Sequence, residues 1–270
     1  MKQAFTHGGR FHADDVFSAA LLTYLYPNIV IERGNQVPEH YDGIVFDIGF
    51  GAYDHHQEGK EVRDNGIPYA AFGLLWRRYG KTILEEEMAE KFEQEFVEPI
   101  DFSDNTGEKN AISEMISLFN PSWDEDKDED IAFEEAKEVA LKILKRRFQY
   151  LQGEKKAEKL VKNALEQMEN HIIILERFAP WKNWVIGTDC YFVVYPSKRG
   201  GYNAQGVPKV KESRELHYNF PESWYGKSAE ELKQISNIRT LEFCHNSGFL
   251  IATGTLEDAI KACEVAMKKD

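Results

Sequence analysis

The side chains that could do chemistry are concentrated in the first 57 residues of the chain. Three short segments, THGGRFHADD, VFDIG and YDHHQ, hold imidazoles and carboxylates together; they are His7, His12, His55 and His56, with Asp14, Asp15, Asp47 and Asp54. A lone histidine is usually structural, but a group of histidines and aspartates is typical of a metal site. Mixed ligands of this kind suit Mn, Fe, Co or Zn better than Ca, and many shared carboxylates favour Mn or Mg. The pattern therefore predicts a site for divalent cations.

A strand, a tight turn and a helix must position the first of these segments. Residues 2–6 predict a short strand that runs into the Gly8-Gly9 break, and an amphipathic helix opens at Asp14 and Asp15. Side chains on such a turn can converge on one point, and convergence on a cation is the natural interpretation.

Two further strands are predicted upstream of the histidine pair. Residues 28–32 and 43–48 are rich in Ile and Val and are bounded by Pro, Asn and Gly, as buried strands are. Ligands of parallel sheets gather at the carboxyl ends of the strands, which is where His7, Asp47 and the YDHHQ segment fall. An unpaired carboxylate at Asp47 would be costly to bury, so it should have a cationic partner.

The remainder predicts a helical extension and then a second domain. Helical spacing recurs in four segments, at about 70–80, 85–105, 131–151 and 154–177. After Pro180 and Trp181 the chain returns to strand patterns and ends in a strand-turn-helix. We therefore expect an α/β fold: residues 1–180 form a parallel-sheet domain with a helical extension, and residues 181–270 form a smaller mixed α/β domain, with the active site in the cleft between them.

Composition bounds the functional class. The hydrophobic content of 42% over 270 residues can fill a real core, and no stretch reaches the roughly 18–20 apolar residues of a membrane span, so we expect a cytoplasmic protein without membrane contact. Three cysteines without a CxxC pair suggest neither disulfides nor a zinc knuckle. The net charge of −13 argues against coating of nucleic acid by a basic surface, although it does not exclude a nuclease. The acidic run at 124–130 predicts a solvated loop.

These motifs resemble the DHH phosphoesterase superfamily, which includes RecJ-type exonucleases and the family II inorganic pyrophosphatases. The closer resemblance is to the melanocyte-proliferating-gene family of DHH proteins, whose pattern is H-x4-H-x-D, then YDHHQ, then D-x-x-DN. It is met by His7, His12 and Asp14, by the segment 53–57, and by Asp101 to Asn105. The segments APWKNW, NAQGVP, FPESWYGK and FCHNSGFLIATGT resemble the C-terminal signatures of that family, so the resemblance spans nearly the whole chain.

The resemblance implies two divalent cations, with Mn favoured and Mg, Co or Zn as alternatives. One set of ligands would be His7, His12, Asp47 and Asp101. The other would be Asp14, Asp47 and His55, with Asp101 as a further candidate, so that Asp47 bridges the pair. Other DHH branches carry H-x3-D-x-D in the first motif, which leaves open whether Asp14 or Asp15 binds metal. We expect Asp14 as the ligand and Asp15 as a helix N-terminal carboxylate.

Catalytic and substrate-binding roles also follow from the resemblance. His56 would contact the phosphoryl oxygen or the leaving group, Asp54 would hold a histidine ring in the correct tautomer, and Asp104 would cap or orient the segment that bears Asp101. In the C-terminal domain, six residues would bind the substrate; they are Lys198, Arg199, His245, Asn246, Ser247 and Gly248.

The function that the resemblance implies is a Mn-dependent 3′ to 5′ exonuclease acting on single-stranded RNA or short oligonucleotides. The chemistry of the residues alone supports only cleavage of phosphoesters or phosphoanhydrides. Two alternatives remain at this stage: a hydrolase of small substrates such as pyrophosphate, a nucleotide or a dinucleotide, and a metal-binding interaction module without catalysis. The sequence does not determine the oligomeric state, and a homo-oligomer is compatible with it.

Overall fold

The structure, a computed structural model, describes residues 2–59 and 61–268. The chain divides into two compact units, Met1–Gln152 and Gly153–Asp270. This division falls inside one long helix, whereas the sequence predicted a domain boundary near residue 180. Each unit is α/β, with the parallel sheet in the first and a mixed sheet in the second, which confirms the predicted fold class.

A three-stranded parallel sheet organises the first unit. Strand β1 (Gln3–His7) lies in the centre, between β2 (Val30–Gly34) and β3 (Ile44–Val45), and pairs in parallel with both. The strands predicted at 2–6 and 28–32 are therefore present, displaced by one or two residues. The third is shorter than predicted, because the chain leaves the sheet just before Phe46 and Asp47.

Six α-helices are present among the described residues of the first unit, and the last of them continues into the second unit. Helix α1 covers Ala13–Leu25, and it follows β1 after a five-residue turn. The others are α2 (Ala71–Ile83), α3 (Glu86–Phe92), α4 (Glu98–Thr106), α5 (Ala111–Ser117) and α6 (Glu129–Glu166). Residues 124–128 of the acidic run form no regular structure, as predicted, and its last two residues open α6.

A π-helical segment, Glu93–Val97, joins α3 to α4 without a break in the helix. A π-helical turn contains one residue more than an α-helical turn, so it rotates the side chains of the following helix about the helix axis. Such turns are frequent at functional sites. The side chains of α4 are therefore out of phase with a simple 3.6-residue pattern drawn from α3.

Aromatic rings fill the core of the first unit beside the sheet. Trp76, Phe92 and Phe148 are almost fully buried and stack on one another, with ring centroids 4.5 to 5.7 Å apart. Phe17 of α1 packs edge-on against Phe96 of the π segment at 5.3 Å. Rings of this size bury enough apolar surface to fix α2, the π segment and α6 against α1.

A five-stranded sheet organises the second unit, in the order β4-β5-β6-β8-β7. Its strands are β4 (Ile172–Ile174), β5 (Phe192–Pro196), β6 (Tyr202–Gly206), β7 (Leu241–Cys244) and β8 (Leu250–Thr253). Only the β4–β5 pair is parallel. Helices α7 (Lys182–Val185), α8 (Ala229–Ser236) and α9 (Leu256–Met267), with a 3₁₀ turn at Glu222–Trp224, complete the unit.

The prediction for the segment 131–177 was wrong in one respect. Two helices were expected, at about 131–151 and 154–177, but the structure has the single helix α6 and then strand β4. Gly153 lies between the two expected helices, and α6 continues through it. The three consecutive isoleucines of β4 carry the β-branched signal of a strand, which the helical spacing before them concealed.

Among the described residues, no helix combines the length and the apolar character needed to span a membrane.

Two glycine substitutions test how tightly α2 packs on α4. Gly73→Ala should destabilise the protein by about 1–3 kcal/mol, because the new Cβ would fall 1.8 Å from Oδ2 of Asp101 and 2.5 Å from Nη2 of Arg63. Gly153→Ala is the matched control and should stabilise it by about 0.5–1 kcal/mol, because the helix there has open space around it. Urea unfolding of both variants measures the two changes, and equal signs would contradict this packing.

Candidate metal centre

Four segments of the first unit meet at one place: the chain after each of two strands, the start of one helix and the end of another. His7 is the last residue of β1, and the N-terminal turn of α1 follows it closely. Asp47 comes two residues after β3, and the histidine pair follows in the next loop. Asp104 is on the last turn of α4. The predicted convergence of the first three segments is therefore present, and α4 adds a fourth.

One group of side chains forms around His7. Its Nε2 lies 3.0 Å from Oδ2 of Asp15 and 3.2 Å from Oδ2 of Asp47. Its Nδ1 is 2.9 Å from the carbonyl oxygen of Gly8, to which it donates, so the neutral ring carries its lone pair on Nε2. His7, Asp15 and Asp47 together have the spacing of ligands to one cation.

Asp47 also belongs to a second group, with the histidine pair. Its Oδ1 lies 3.1 Å from Nε2 of His55 and 3.6 Å from Nδ1 of His56. The two oxygens of Asp47 thus face different histidines, His7 on one side and His55 on the other. A carboxylate so placed has the geometry of a bridging ligand.

A third group includes His12, Asp14 and Asp104. Nδ1 of His12 lies 3.8 Å from Oδ1 of Asp104, and Nε2 of His55 lies 3.3 Å from Oδ2 of Asp104 and 3.7 Å from Oδ2 of Asp14. His55 therefore links the second group to the third.

The backbone around Asp47 is locally strained. Asp47 and Phe50 both adopt the left-handed conformation, with φ of 55° each, on either side of Gly49 at φ 85°. This conformation is uncommon for residues with a Cβ and is frequent at functional sites, where the surroundings hold it in place. Here the Asp47 N–H donates to the carbonyl of Tyr53 at 2.9 Å, which turns the carboxylate toward the histidines.

The burial of these carboxylates fits a metal site. Asp14 and Asp15 are 0% exposed and Asp47 is 3% exposed. Oδ1 of Asp14 receives no hydrogen bond from the described residues. Oδ2 of Asp15 and Oδ1 of Asp47 face Nε2 of His7 and of His55, which can donate to them only when that nitrogen carries a hydrogen. Leaving a buried carboxylate oxygen without a partner is costly, so the cluster favours a bound cation or a protonated histidine. The donor set of imidazole and carboxylate suits Mn, Co or Zn.

The pKa values of the metal-free site also indicate that its carboxylates need positive charge nearby. Burial, together with the charges of Asp47, Asp104 and Asp15, raises the pKa of Asp14 well above its usual value. Burial opposes protonation of His7, but the carboxylates of Asp15 and Asp47 outweigh it and raise the pKa of His7 to about 10. Burial also opposes ionisation of Asp47, yet His55 and His7 lower its pKa to about 2. Without a cation, protonated histidines supply the missing positive charge.

His56 has a different environment from His55. Its Nδ1 donates to Oδ1 of Asp54 at 2.8 Å, and its backbone N–H donates to the same oxygen at 3.0 Å. Asp54 is 2% exposed, and its second oxygen accepts the N–H of Phe50 at 2.7 Å. The side chain of His56 is 55% exposed, and its Nδ1 also lies 3.6 Å from Oδ1 of Asp47. The contact of His56 with Asp54 is the one expected from the sequence.

The structure does not bring Asp101 into any of these groups. Its Oδ2 is bound to Nη2 of the buried Arg63 at 2.7 Å, and its Oδ1 accepts the N–H of Gly73 at 3.1 Å. Asp104, which the sequence suggested only as an orienting residue, lies among the histidines instead. Both aspartates belong to the D-x-x-DN motif, and the signal that separates them is position: Asp104 is on the open last turn of α4, whereas Asp101 lies inside the helix.

Asp15 combines two contacts that the sequence treated as alternatives. It is the third residue of α1, where its Oδ1 accepts the N–H of His12 at 3.1 Å and so caps the helix, as predicted. Its Oδ2 faces His7. Asp14 and Asp15 therefore both contribute to the cluster.

A cavity of about 470 Å³ opens beside the third group. His12 and Asp104 line it, together with polar residues of α4, α5 and their connection, among them Ser103, Lys109 and Asn110. A volume of this size holds a small polar ligand.

In the second unit, a cavity of about 760 Å³ collects several of the predicted substrate-binding residues. Lys198, Arg199 and His245 line it. Its walls are largely aromatic and apolar, and include Phe178, Tyr195, Phe243 and Leu250. Lys198 and Arg199 are in the turn between β5 and β6, which is level with the start of β7. His245 follows the end of β7, so the cavity extends along one face of the sheet from one end to the other.

Asn246, Ser247 and Gly248 form the tight turn after His245. Ser247 Oγ and the Ser247 N–H lie 2.9 and 3.1 Å from Nδ1 of His245, and Gly248 N–H donates to the His245 carbonyl at 2.8 Å. Gly248 has φ 64°, and a Cβ there would fall 2.2 Å from the hydroxyl of Tyr225, so the turn requires glycine. These three residues orient His245 and do not line the cavity.

A histidine pair after a parallel strand, facing a carboxylate from the start of the neighbouring helix, is the arrangement expected of a DHH-superfamily protein. The match to a family model is more specific: the model described as "Uncharacterised protein family (UPF0160)", with the short name MYG1 exonuclease, matches residues 3–267. The chain therefore belongs to the MYG1 (UPF0160) family, which confirms the resemblance drawn from its motifs.

Individual relatives are similar over almost their full lengths. The chain is 29% identical to the MYG1 protein of Dictyostelium discoideum, covering 94% of this chain and 93% of that protein. It is 28% identical to the MYG1 exonuclease of Homo sapiens, covering 97% and 85% respectively. No solved structure matches the chain significantly. The name of the human relative indicates a hydrolase.

Two aspartate variants distinguish the roles of Asp104 and Asp101. Saturating Mn²⁺, at about 100 times its Kd, should stabilise the wild-type protein by about 2.7 kcal/mol. Asp104→Asn should fold without metal but lose most of that stabilisation, because it removes a ligand from a crowded site. Asp101→Asn should keep the Mn²⁺ effect and lower the metal-free stability by about 1.5–3 kcal/mol, because Arg63 loses its charged partner. Thermal unfolding with and without Mn²⁺ measures both, and the reverse pattern would restore Asp101 as the ligand.

Proposed function

We propose that this protein is a two-metal phosphodiesterase, a Mn-dependent 3′ to 5′ exonuclease that acts on single-stranded RNA or short oligonucleotides. The observation that carries the proposal is the buried set of carboxylates and imidazoles in which Asp47 faces a different histidine with each oxygen. Support for the class of reaction comes from the human relative, which is named MYG1 exonuclease and is matched over 85% of its length.

The cations would be held by the three groups described above. His7, Asp15 and Asp47 would hold the first, and the second would be held by Asp47 and His55 with His12, Asp14 and Asp104. Two bound cations supply an activated water and neutralise the charge that develops on the phosphoryl oxygens. Compared with the ligands expected from sequence, Asp104 replaces Asp101 and Asp15 is added.

His56 is the proton-transfer and substrate-contacting residue in this proposal. Its Nδ1 is occupied by Asp54, which fixes the tautomer and stabilises a positive charge on the ring. Nε2 is then free to contact a phosphoryl oxygen or to donate a proton to the leaving oxygen. The exposure of the ring, in contrast to the burial of His55, suits a group that must meet a substrate.

The cavity in the second unit is the proposed binding site for the nucleotide. Lys198 and Arg199 would bind phosphate, and the apolar and aromatic walls would contact the base. The turn at Asn246, Ser247 and Gly248 would act by orienting His245.

A small-substrate hydrolase is the second candidate, and the charge of the protein favours it. A chain of net charge −13 attracts long polyanions poorly. A dinucleotide or a short oligonucleotide would place only a few phosphates on the protein, and the same residues would cleave it. An inactive interaction module is disfavoured, because a degenerate site would be expected to lack part of the set of imidazoles and carboxylates that this chain retains.

The first test follows degradation of end-labelled substrates by metal-stripped protein with and without Mn²⁺. Single-stranded RNA, single-stranded DNA, dinucleotides and pyrophosphate are compared, and the Asp47→Asn variant is the inactive control. Stepwise shortening of RNA from the 3′ end that requires Mn²⁺ supports the exonuclease. Cleavage of only the dinucleotide or pyrophosphate assigns the small-substrate function, and no cleavage despite bound Mn²⁺ would refute both.

The role of His56 can be separated from metal binding. His56→Ala should lower kcat by about 10²–10⁴-fold with little change in Mn²⁺ affinity, since proton transfer by a positioned side chain contributes a factor of that size. His40→Asn, at an exposed histidine of the same unit, is the control and should retain activity. Steady-state kinetics and Mn²⁺ titration of the two variants measure this. A loss of Mn²⁺ binding in His56→Ala would instead make His56 a ligand.

A further inference from the structure

Asn105 follows Asp104 on the last turn of α4, and its side-chain amide contacts Asp101, Tyr69 and His55. Nδ2 donates to the carbonyl oxygens of Asp101 at 2.9 Å and Tyr69 at 3.1 Å. Oδ1 lies 3.4 Å from Nδ1 of His55. Since two carbonyls can only accept, the amide nitrogen must face them, and the orientation of the amide is set by this network.

The contact with His55 determines which nitrogen of that ring is free. An amide oxygen can only accept, so Nδ1 of His55 carries the hydrogen of the bond. In a neutral imidazole the lone pair is then on Nε2. That atom faces oxygens of Asp47 at 3.1 Å, Asp104 at 3.3 Å and Asp14 at 3.7 Å. The free nitrogen is therefore the one directed into the carboxylate cluster.

The position of Asn105 is stabilised in turn by the buried guanidinium group of Arg63. Arg63 is 8% exposed; its guanidinium binds the carboxylate of Asp101 at 2.7 Å and lies on the ring of Tyr69, 3.8 Å from the ring centroid. Nε of Arg63 also donates to Glu93, in the π segment, at 2.9 Å. Both residues whose carbonyls receive the amide of Asn105 are thus in direct contact with Arg63. Rotation of the amide would leave these two carbonyls without their donor.

We propose that Asn105 is a positioning residue of the metal centre, which holds His55 in the tautomer that presents Nε2 to a cation, and that Arg63 fixes Asn105 through Asp101 and Tyr69. The inference rests on the metal centre of the proposed function and is independent of the substrate. It also explains why Asp101 is part of the motif without being among the clustered ligands. The carboxylate of Asp101 binds Arg63, and its backbone carbonyl oxygen accepts the hydrogen bond from Asn105.

Two substitutions of Asn105 separate positioning from a purely structural role. Asn105→Ala removes both the acceptor for His55 and the donors for the carbonyls, and it should weaken Mn²⁺ binding by about 10–100-fold. Asn105→Asp keeps an oxygen for His55 but loses the donors, so it should lower metal-free stability while Mn²⁺ affinity stays on the order of the wild-type value. Thr106→Ala, the next residue of the same turn, is the control and should leave the affinity unchanged.

Calorimetric titration with Mn²⁺ and urea unfolding provide the two readouts. If Asn105→Ala loses stability but binds Mn²⁺ as Thr106→Ala does, Asn105 is only structural and the proposal is overturned. If the wild-type protein itself binds neither Mn²⁺ nor Mg²⁺, the metal centre of the proposed function fails, which is a different result.

The tautomer can also be read without any variant of Asn105. In Mg²⁺-loaded wild-type protein, ¹H–¹⁵N correlations of the imidazoles should show His55 with a hydrogen on Nδ1 and none on Nε2; the signal is assigned by its loss in His55→Gln. Asn105→Asp should retain this pattern. A His55 ring that is protonated on Nε2 in the loaded protein would overturn the proposal even if Asn105→Ala fails to fold.

Discussion

Crowding of carboxylates in a space from which water is largely excluded is the constraint on which this structure depends. Asp14, Asp15 and Asp47 are buried side by side, and Asp104 adjoins them. Charges of one sign at these distances repel strongly, and burial removes the water that would screen them. Protonation of a histidine or of Asp14, or a bound cation, relieves this repulsion. The buried mixture of imidazoles and carboxylates, with Oδ1 of Asp14 unpaired among the described residues, could hold metal ions.

The rest of the first unit holds these groups against their repulsion. The parallel sheet brings the end of β1 and the chain after β3 to the same edge, and the turn after β1 starts α1 there. On the opposite side the π segment and Arg63 fix α4, so that its last turn supplies Asp104. Beside the cluster the backbone is strained at Asp47 and Phe50, and the left-handed conformation of Asp47 accompanies a carboxylate that faces two histidines. Rigid elements thus carry most of the ligands, which is what a preorganised centre requires.

Much of this arrangement was accessible from the sequence, and the failures have identifiable causes. The strand-turn-helix opening, the convergence of His7, Asp47 and the histidine pair, and the contact of Asp54 with His56 follow from short-range patterns. Asp101 and Asp104 are three residues apart on one helix, so spacing alone could not separate them. What separates them is Arg63, a partner 38 residues away from Asp101 whose position no local pattern encodes. The strand at Ile172–Ile174 was missed because a long helical pattern ran up to it.

The account is tested most directly by counting bound metal. Metal-stripped protein is titrated with Mn²⁺ while free Mn²⁺ is followed by electron paramagnetic resonance, and the spectrum of the bound ions is then recorded. The account predicts two ions per chain that are magnetically coupled, because both share the carboxylate of Asp47, and it predicts that Asp47→Asn loses the coupling. A single bound ion, two ions without coupling, or no binding at all would contradict a two-metal centre bridged by Asp47.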